Sequence, residues 1–253
     1  MHRGLTDVPR GGGAAGRTLL ISDLHLDESR PAIVDRFERF LDEVAPGADA
    51  LYILGDLFEY WVGDDSISLA LPARASAALK RASARLPIRF MHGNRDFLVA
   101  RGFSAATGVE LIDDPLVIDL YGTRTLLLHG DTLCTGDAAY QAYRAQVRDP
   151  RWQAGALSQP LAQRMALAES LRVRSEGDKQ GKAQEIMDVA PEAVEAAFRE
   201  SGAALMIHGH THRPGRHVHL VDGRERVRWV LPDWYEAGGY LEVSASGVRA
   251  VGN

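Results

Sequence analysis

The sequence predicts an α/β fold, and two observations carry the prediction. Short, β-branched apolar runs alternate with stretches of helical periodicity. Five of those runs end in a small cluster of Asp, His or Asn, most of them beside a glycine. Open α/β sheets place ligands outside the carboxyl ends of their strands, which is where these clusters fall.

The elements follow in order. Thr18-Leu19-Leu20-Ile21-Ser22 reads as a buried strand running into Asp23-Leu24-His25. An amphipathic helix comes next, with Pro31 near its start and Ile33, Phe37, Phe40, Leu41 and Val44 on one face, ended by Pro46-Gly47. Ala50–Leu54 is a second strand, delivering Gly55-Asp56. Residues 69–85 are helical, and Ile88–Met91 is a third strand ahead of His92-Gly93-Asn94. Leu116–Leu120 and 125–128 flank Gly122 as a hairpin whose second strand reaches His129. A helix over 191–198, stopped by Gly202, feeds a strand over 204–207 and then His208-Gly209-His210. From His217 onward, alternation and glycines suggest closing antiparallel strands.

Residues 134–189 break this rhythm. Trp152, Leu157, Leu161, Met165 and Leu171 have helical spacing, and from Arg144 to Lys182 there are eight basic and four acidic residues. The segment reads as a helical lid inserted between two parts of a core, 17–133 and 190–253, with 1–16 as a flexible tail.

Composition narrows the function. With 45% hydrophobic and 25% charged residues the chain is ordinary globular protein, and a net charge of -5 argues against general nucleic-acid binding. The single cysteine, Cys134, cannot form an internal disulfide and reads as a packed residue. No apolar run approaches the roughly 20 residues of a spanning helix. No obligate protein partner is evident.

The chemistry lies in the clusters Asp23-Leu24-His25, Gly55-Asp56, Gly93-Asn94-Arg95-Asp96, His129-Gly130-Asp131 and Gly209-His210-Thr211-His212. In an extended backbone, Asp-x-His and His-x-His put two side chains on one face. Mixed carboxylate and imidazole donors without thiolate suit Mn, Fe or Zn. Seven candidate ligands exceed one tetrahedral centre. They suit two ions about 3.5–4 Å apart sharing a carboxylate, as used for in-line displacement at phosphorus. A lone strand-end His or an Asp-Gly pair is usually only a turn; the weight comes from the whole set. Asp96, Asp131 and His208 are candidates to orient ligands from behind, or plain strand-end hydrogen bonders. Trp61 and Tyr140 are read as packing residues that could also stack on substrate.

The ordered set D-x-H, G-D, G-N-R-D, H-G-D and G-H-x-H resembles the calcineurin-like metallophosphoesterases. The longer stretches LGDLFEYWVGDD and HGDTLCTGD are similar to the branch that hydrolyses UDP-2,3-diacylglucosamine in lipid A biosynthesis. The resemblance implies an α/β four-layer αββα sandwich with an inserted helical lid. It implies one ion, typically manganese, on Asp23, His25, Asp56 and His212, and a second on Asp56, Asn94, His129 and His210. These ligands together with Arg95 form the catalytic set, and substrate contacts fall on Asn94, Arg95, Asp137, Ser175, Lys179, Lys182 and His210. Lys179 stands where the family pattern has Asn, and Pro232 where it often has Gly. The resemblance further implies a lipid-linked UDP-sugar as substrate, met at the cytoplasmic face of the inner membrane with peripheral association. Trp152, Leu157, Leu161 and Met165 are candidates for an apolar slot, and Arg144, Arg148, Arg151, Arg172 and Arg174 for headgroup contacts. Rival readings are another dinuclear-metal phosphoesterase (phosphatase, phosphodiesterase or nuclease) and a non-catalytic scaffold, which should lack a ligand; all seven are present.

Overall fold

In the computed structural model, residues 16–181, 188–236 and 238–252 are described, those of 173–181 by backbone alone. Two mixed sheets lie face to face. The first has six strands in the order β11-β10-β1-β2-β3-β4: β1 Arg17–Ile21, β2 Ala50–Leu54, β3 Ile88–Met91, β4 Glu110–Ile112, β10 Gly239–Ser244 and β11 Gly247–Gly252. The second has five in the order β5-β6-β7-β9-β8: β5 Leu116–Leu120, β6 Thr123–Leu127, β7 Leu205–His208, β8 Gly215–Val221 and β9 Arg224–Val230.

Alternation along the strands builds three packed interfaces. Leu19, Ile21, Leu51, Ile53, Ile88 and Phe90 face outward, onto α1 (Pro31–Arg39), α2 (Ala70–Ser83) and α3 (Arg101–Thr107). Leu20, Tyr52 and Leu54 face inward and meet Leu127, Leu205 and Ile207 of the second sheet. That sheet's outer residues Leu126 and Met206 pack on Val194 and Phe198 of α7 (Pro191–Ser201). Helices, sheet, sheet and helix make the four layers. Because strands such as β2 are buried on both faces, they read as unbroken apolar runs in the sequence.

Three features differ from expectation. α3 and β4 are not signalled in the sequence. α3 has seven residues, and its N-terminus is capped by Asp64, whose carboxylate accepts from Ala100 N and Phe103 N at 3.0 Å each. A cap supplied from 36 residues away leaves no local start signal. The C-terminal strands are antiparallel as pairs, yet they split between the sheets, and β9 runs parallel to β7. α1 continues through a π-helical turn, Phe40–Val44, so Phe40 and Leu41 stay on the buried face.

Between β6 and α7 come α4 (Ala138–Val147), α5 (Pro150–Leu157) and α6 (Leu161–Gly181), with no strand among the described residues there.

Candidate metal centre

Each cluster sits where its strand ends, and backbone bonds knit the ends together. Asp23 N donates to Gly55 O at 3.1 Å and His25 N to Asp56 O at 3.0 Å, which ties the β1 loop to the β2 loop. Gly209 N donates to His129 O at 2.9 Å, tying the β7 loop to that of β6. His210 N donates to Asp23 Oδ2 at 2.9 Å, joining the two sheets at the site.

The ligand backbones are not extended. Asp23, His25, Asp56, His210 and His212 have φ of 54°, 49°, 52°, 68° and 53°. Five left-handed residues in one site, none a glycine, store strain of roughly 1 kcal/mol or more each. Asp and His are among the side chains that tolerate this region best. The D-x-H and H-x-H pairs therefore converge through turns, not through the face alternation of an extended strand.

Two groups of donors result. Atoms of Asp23, His25 and His212 lie within 4.8 Å of one another, and so do atoms of Asp56, His129 and His210. Asp56 joins the groups: Oδ1 accepts from Arg95 N at 2.9 Å, while Oδ2 lies 3.6 Å from His25 Nε2 and 3.8 Å from His129 Nε2. Asn94 Oδ1 lies 3.1 Å from His129 Nε2 and 2.9 Å from His210 Nδ1. All seven predicted ligands are brought together.

The donors fit cations. Asp23 Oδ2 is occupied by Ser22 Oγ at 2.5 Å and by His210 N, but buried Oδ1 has no hydrogen-bond partner among the described residues. Such an atom is costly unless a cation meets it. His25 Nε2 and His212 Nε2 face each other at 3.3 Å, an arrangement suited to sharing a metal. Burial opposes ionisation of Asp23, yet His212, whose Nε2 lies 3.4 Å from Oδ1, and then the charges of His129 and His25 hold its carboxyl well below the usual range. Burial would neutralise His129, but Asp56, Asp131 and Asp23 push it up to about 9. The same negative potential attracts divalent ions. His210 is lowered to about 4 by burial and then by His129, so it is neutral, the form that ligates.

The supporting residues act on backbone more than on ligands. Asp96 accepts from Leu57 N at 2.7 Å and Gly93 N at 2.9 Å, and burial, then Asp56, raises it to about 7. Asp131 takes Tyr140 Oη at 2.8 Å and Arg144 Nε at 2.7 Å, docking α4. His208 meets Gly209 O and Arg228 Nη1. None of the three holds a ligand side chain. Glu59, which the sequence reading missed, does: its Oε2 is 3.3 Å from His25 Nδ1, and its Oε1 is 3.7 Å from Arg95 Nη1. Its signal was its place inside LGDLFEYWVGDD. Tyr235, also missed, stacks on His25 at 5.3 Å.

Arg95 lines an apolar cavity of about 260 Å³ together with Asn94, Trp61, Phe97, Trp152 and Leu167. Of the predicted slot residues only Trp152 lines it; Leu157, Leu161 and Met165 do not, and Leu167 and Leu171 take that face of α6. Trp61 also packs on Phe58 and Phe103, while the Tyr140 ring lies 5.8 Å from His210. Arg144 and Arg148 bind inward, Arg148 to Gly93 O at 2.8 Å, and so do not face outward as expected. Arg172 lines the cavity and Arg151 is exposed. Asp137 caps α4 by accepting from Tyr140 N at 3.0 Å. Lys182 and the side chains of Ser175, Lys179 and Arg174 lie outside the described residues. Cys134 is buried, and burial pushes its thiol up to about 12, so it is inert.

A family model for calcineurin-like phosphoesterases matches residues 16–214. Curated proteins named UDP-2,3-diacylglucosamine hydrolase, from Xanthomonas campestris pv. campestris (strain B100) and Stenotrophomonas maltophilia (strain K279a), are each 52% identical to this chain. The matches run over 239 and 237 residues and cover 91% of this chain and 96% of each relative. On this match, and with the two ligand groups in place, the chain belongs to the calcineurin-like phosphoesterases, in the branch of the UDP-2,3-diacylglucosamine hydrolases.

Proposed function

We propose that the chain hydrolyses the diphosphate bond of UDP-2,3-diacylglucosamine, water attacking the α-phosphorus to give 2,3-diacylglucosamine 1-phosphate (lipid X) and UMP in lipid A biosynthesis. The observation that carries this reading is the junction of two ligand groups with an apolar cavity at Asn94 and Arg95. A phosphoesterase of small esters needs the first and has no use for the second. Each methylene buried in such a cavity contributes about 0.8 kcal/mol.

Asp23, His25, Asp56 and His212 would hold one ion, and Asp56, Asn94, His129 and His210 the other; the mixed oxygen and imidazole donors suit Mn, Fe or Zn, and the family resemblance points to manganese among them. When bound, the ions supply Lewis acidity toward phosphoryl oxygens and make water acidic enough to ionise near neutral pH. Arg95 presents a planar donor fork to the diphosphate, its backbone fixed by Asp56 and its guanidinium steered by Glu59. Asn94 and His210 stand where both ion and substrate reach them, and the family resemblance adds Asp137, Ser175, Lys179 and Lys182 as substrate contacts from the segment 134–189, which acts as a lid.

The chain works at the cytoplasmic face of the inner membrane, attached peripherally. Leu157 and Leu167 are 40% and 50% exposed on α5 and α6, and Arg151 at the start of α5 is exposed as well, a composition suited to a lipid headgroup surface. No helix among the described residues is long and apolar enough to cross a membrane.

The test is a substrate panel with manganese-loaded protein: UDP-2,3-diacylglucosamine, p-nitrophenyl phosphate esters and single-stranded DNA. The expected result is UMP release from the first at a kcat/KM at least about 10²-fold above the others, lost on chelation and restored by manganese. Preferential turnover of an aryl ester or DNA would favour a general phosphoesterase instead.

A further inference from the structure

The motif segment Trp61-Val62-Gly63-Asp64-Asp65 contributes nothing to either ligand group. Its two carboxylates work in opposite directions. Asp64 faces the core, accepting from Trp61 Nε1, Ala100 N and Phe103 N at 3.0 Å each. Asp65 faces α6, where both its oxygens accept from the Arg164 guanidinium, Nη1 to Oδ1 at 2.9 Å and Nη2 to Oδ2.

That guanidinium is almost fully used. Nη1 also donates to Val62 O, and Nε donates to Gln159 O at 2.9 Å in the α5–α6 turn. Arg164 is 8% exposed, so the fork sits in packed surroundings although the Asp65 side chain is 58% exposed. The Arg164 hydrogen bond is also the first reason the Asp65 carboxyl lies below its ordinary range. Gly63 permits the approach: its φ is +123°, and a Cβ there would stand 2.5 Å from Arg164 Nη1 and 2.7 Å from Leu157 Cδ2. Val62, Gln159 and Arg164 themselves line the cavity. The fork therefore bolts one cavity wall, α5–α6, to the loop that forms another.

We propose that the Asp65–Arg164 fork is a clasp that fixes the α5–α6 wall of the cavity and thereby sets which acyl-chain lengths the enzyme accepts. This rests on the substrate reading above. A packed wall discriminates chains by a methylene or two, whereas a wall free to move does not. Lysine cannot replace Arg164, because one ammonium cannot span both carboxylate oxygens and two carbonyls.

The test compares the metal-loaded full chain with Asp65→Asn, Arg164→Lys and the double variant Asp65→Asn/Arg164→Met, which leaves no unpaired buried charge. Four readouts are taken: KM and kcat for UDP-diacylglucosamines of two acyl lengths, hydrolysis of a p-nitrophenyl phosphate ester, and amide exchange over 150–172. We expect each single variant to raise KM for the preferred length about tenfold and to flatten the length preference by a similar factor. We expect kcat within about twofold, unchanged aryl-ester turnover, and faster exchange in α5–α6. The double variant should be no worse than either single one. A retained length preference with unchanged KM would overturn the clasp, and so would aryl-ester activity falling in step. If the parent protein turns over the aryl ester but no UDP-lipid, the substrate reading fails by itself. Exchange in α5–α6 then decides the clasp as a fixture: protection kept in Asp65→Asn overturns it, and protection lost upholds it.

Discussion

Asp56→Asn is expected to lower kcat at least about 10³-fold and to cut bound metal from two ions per chain to one or none, with the fold intact. The reason is the division of labour between the two carboxylate oxygens. Oδ1 is spent on Arg95 N, and an asparagine oxygen accepts that bond equally well. Oδ2 faces His25 and His129 together, one imidazole from each ligand group. Asparagine loses the charge that both groups share, and an amide NH₂ turned that way would meet cations. Metal content by plasma emission, kcat by UMP release and unfolding by circular dichroism check the three parts. Full activity in Asp56→Asn would remove the shared carboxylate from the mechanism.

Gly93→Ala is expected to be as damaging to turnover by a different route, and to cost about 3 kcal/mol of stability as well. A Cβ at Gly93 would stand 2.0 Å from Asp56 Oδ1 and 2.3 Å from Asp56 N, one a ligand group's carboxylate and the other backbone that cannot step aside. Asp96 pins that backbone from behind through Leu57 N and Gly93 N, so strain cannot relax locally. Gly155→Ala is the control, since nothing lies within 4 Å of its added carbon. In α5 it should be neutral or stabilising by up to about 1 kcal/mol. Denaturant midpoints of the two variants check the contrast; a Gly93→Ala protein as stable and active as its parent would contradict the crowding argument.

The candidate ligands were legible because they follow strands that are themselves legible. β1, β2, β3 and β7 are largely apolar runs and β6 closes on Leu126 and Leu127 with Leu128 after them, and polar clusters recurring at the ends of five such strands point to chemistry as a set. The left-handed φ values at Asp23, His25, Asp56, His210 and His212 were not legible. Asp and His carry no sequence mark of that conformation, and the loops are held in it by bonds between strands distant in the chain. The same cause hid α3, capped by Asp64, and the role of Glu59, whose partners His25 and Arg30 come from the β1–α1 loop and Arg95 from the loop after β3. The face that α6 turns to the cavity was misread because its apolar spacing is diffuse and Arg164, a charged residue, occupies a buried position on it.

Two cations are proposed to share Asp56. Manganese-edge anomalous diffraction from crystals of the manganese-loaded protein tests it most directly. Two peaks about 3.5–4 Å apart are predicted, one beside Asp23, His25 and His212, the other beside Asn94, His129 and His210, with Asp56 between them. A single peak, or peaks away from Asp56, would contradict it.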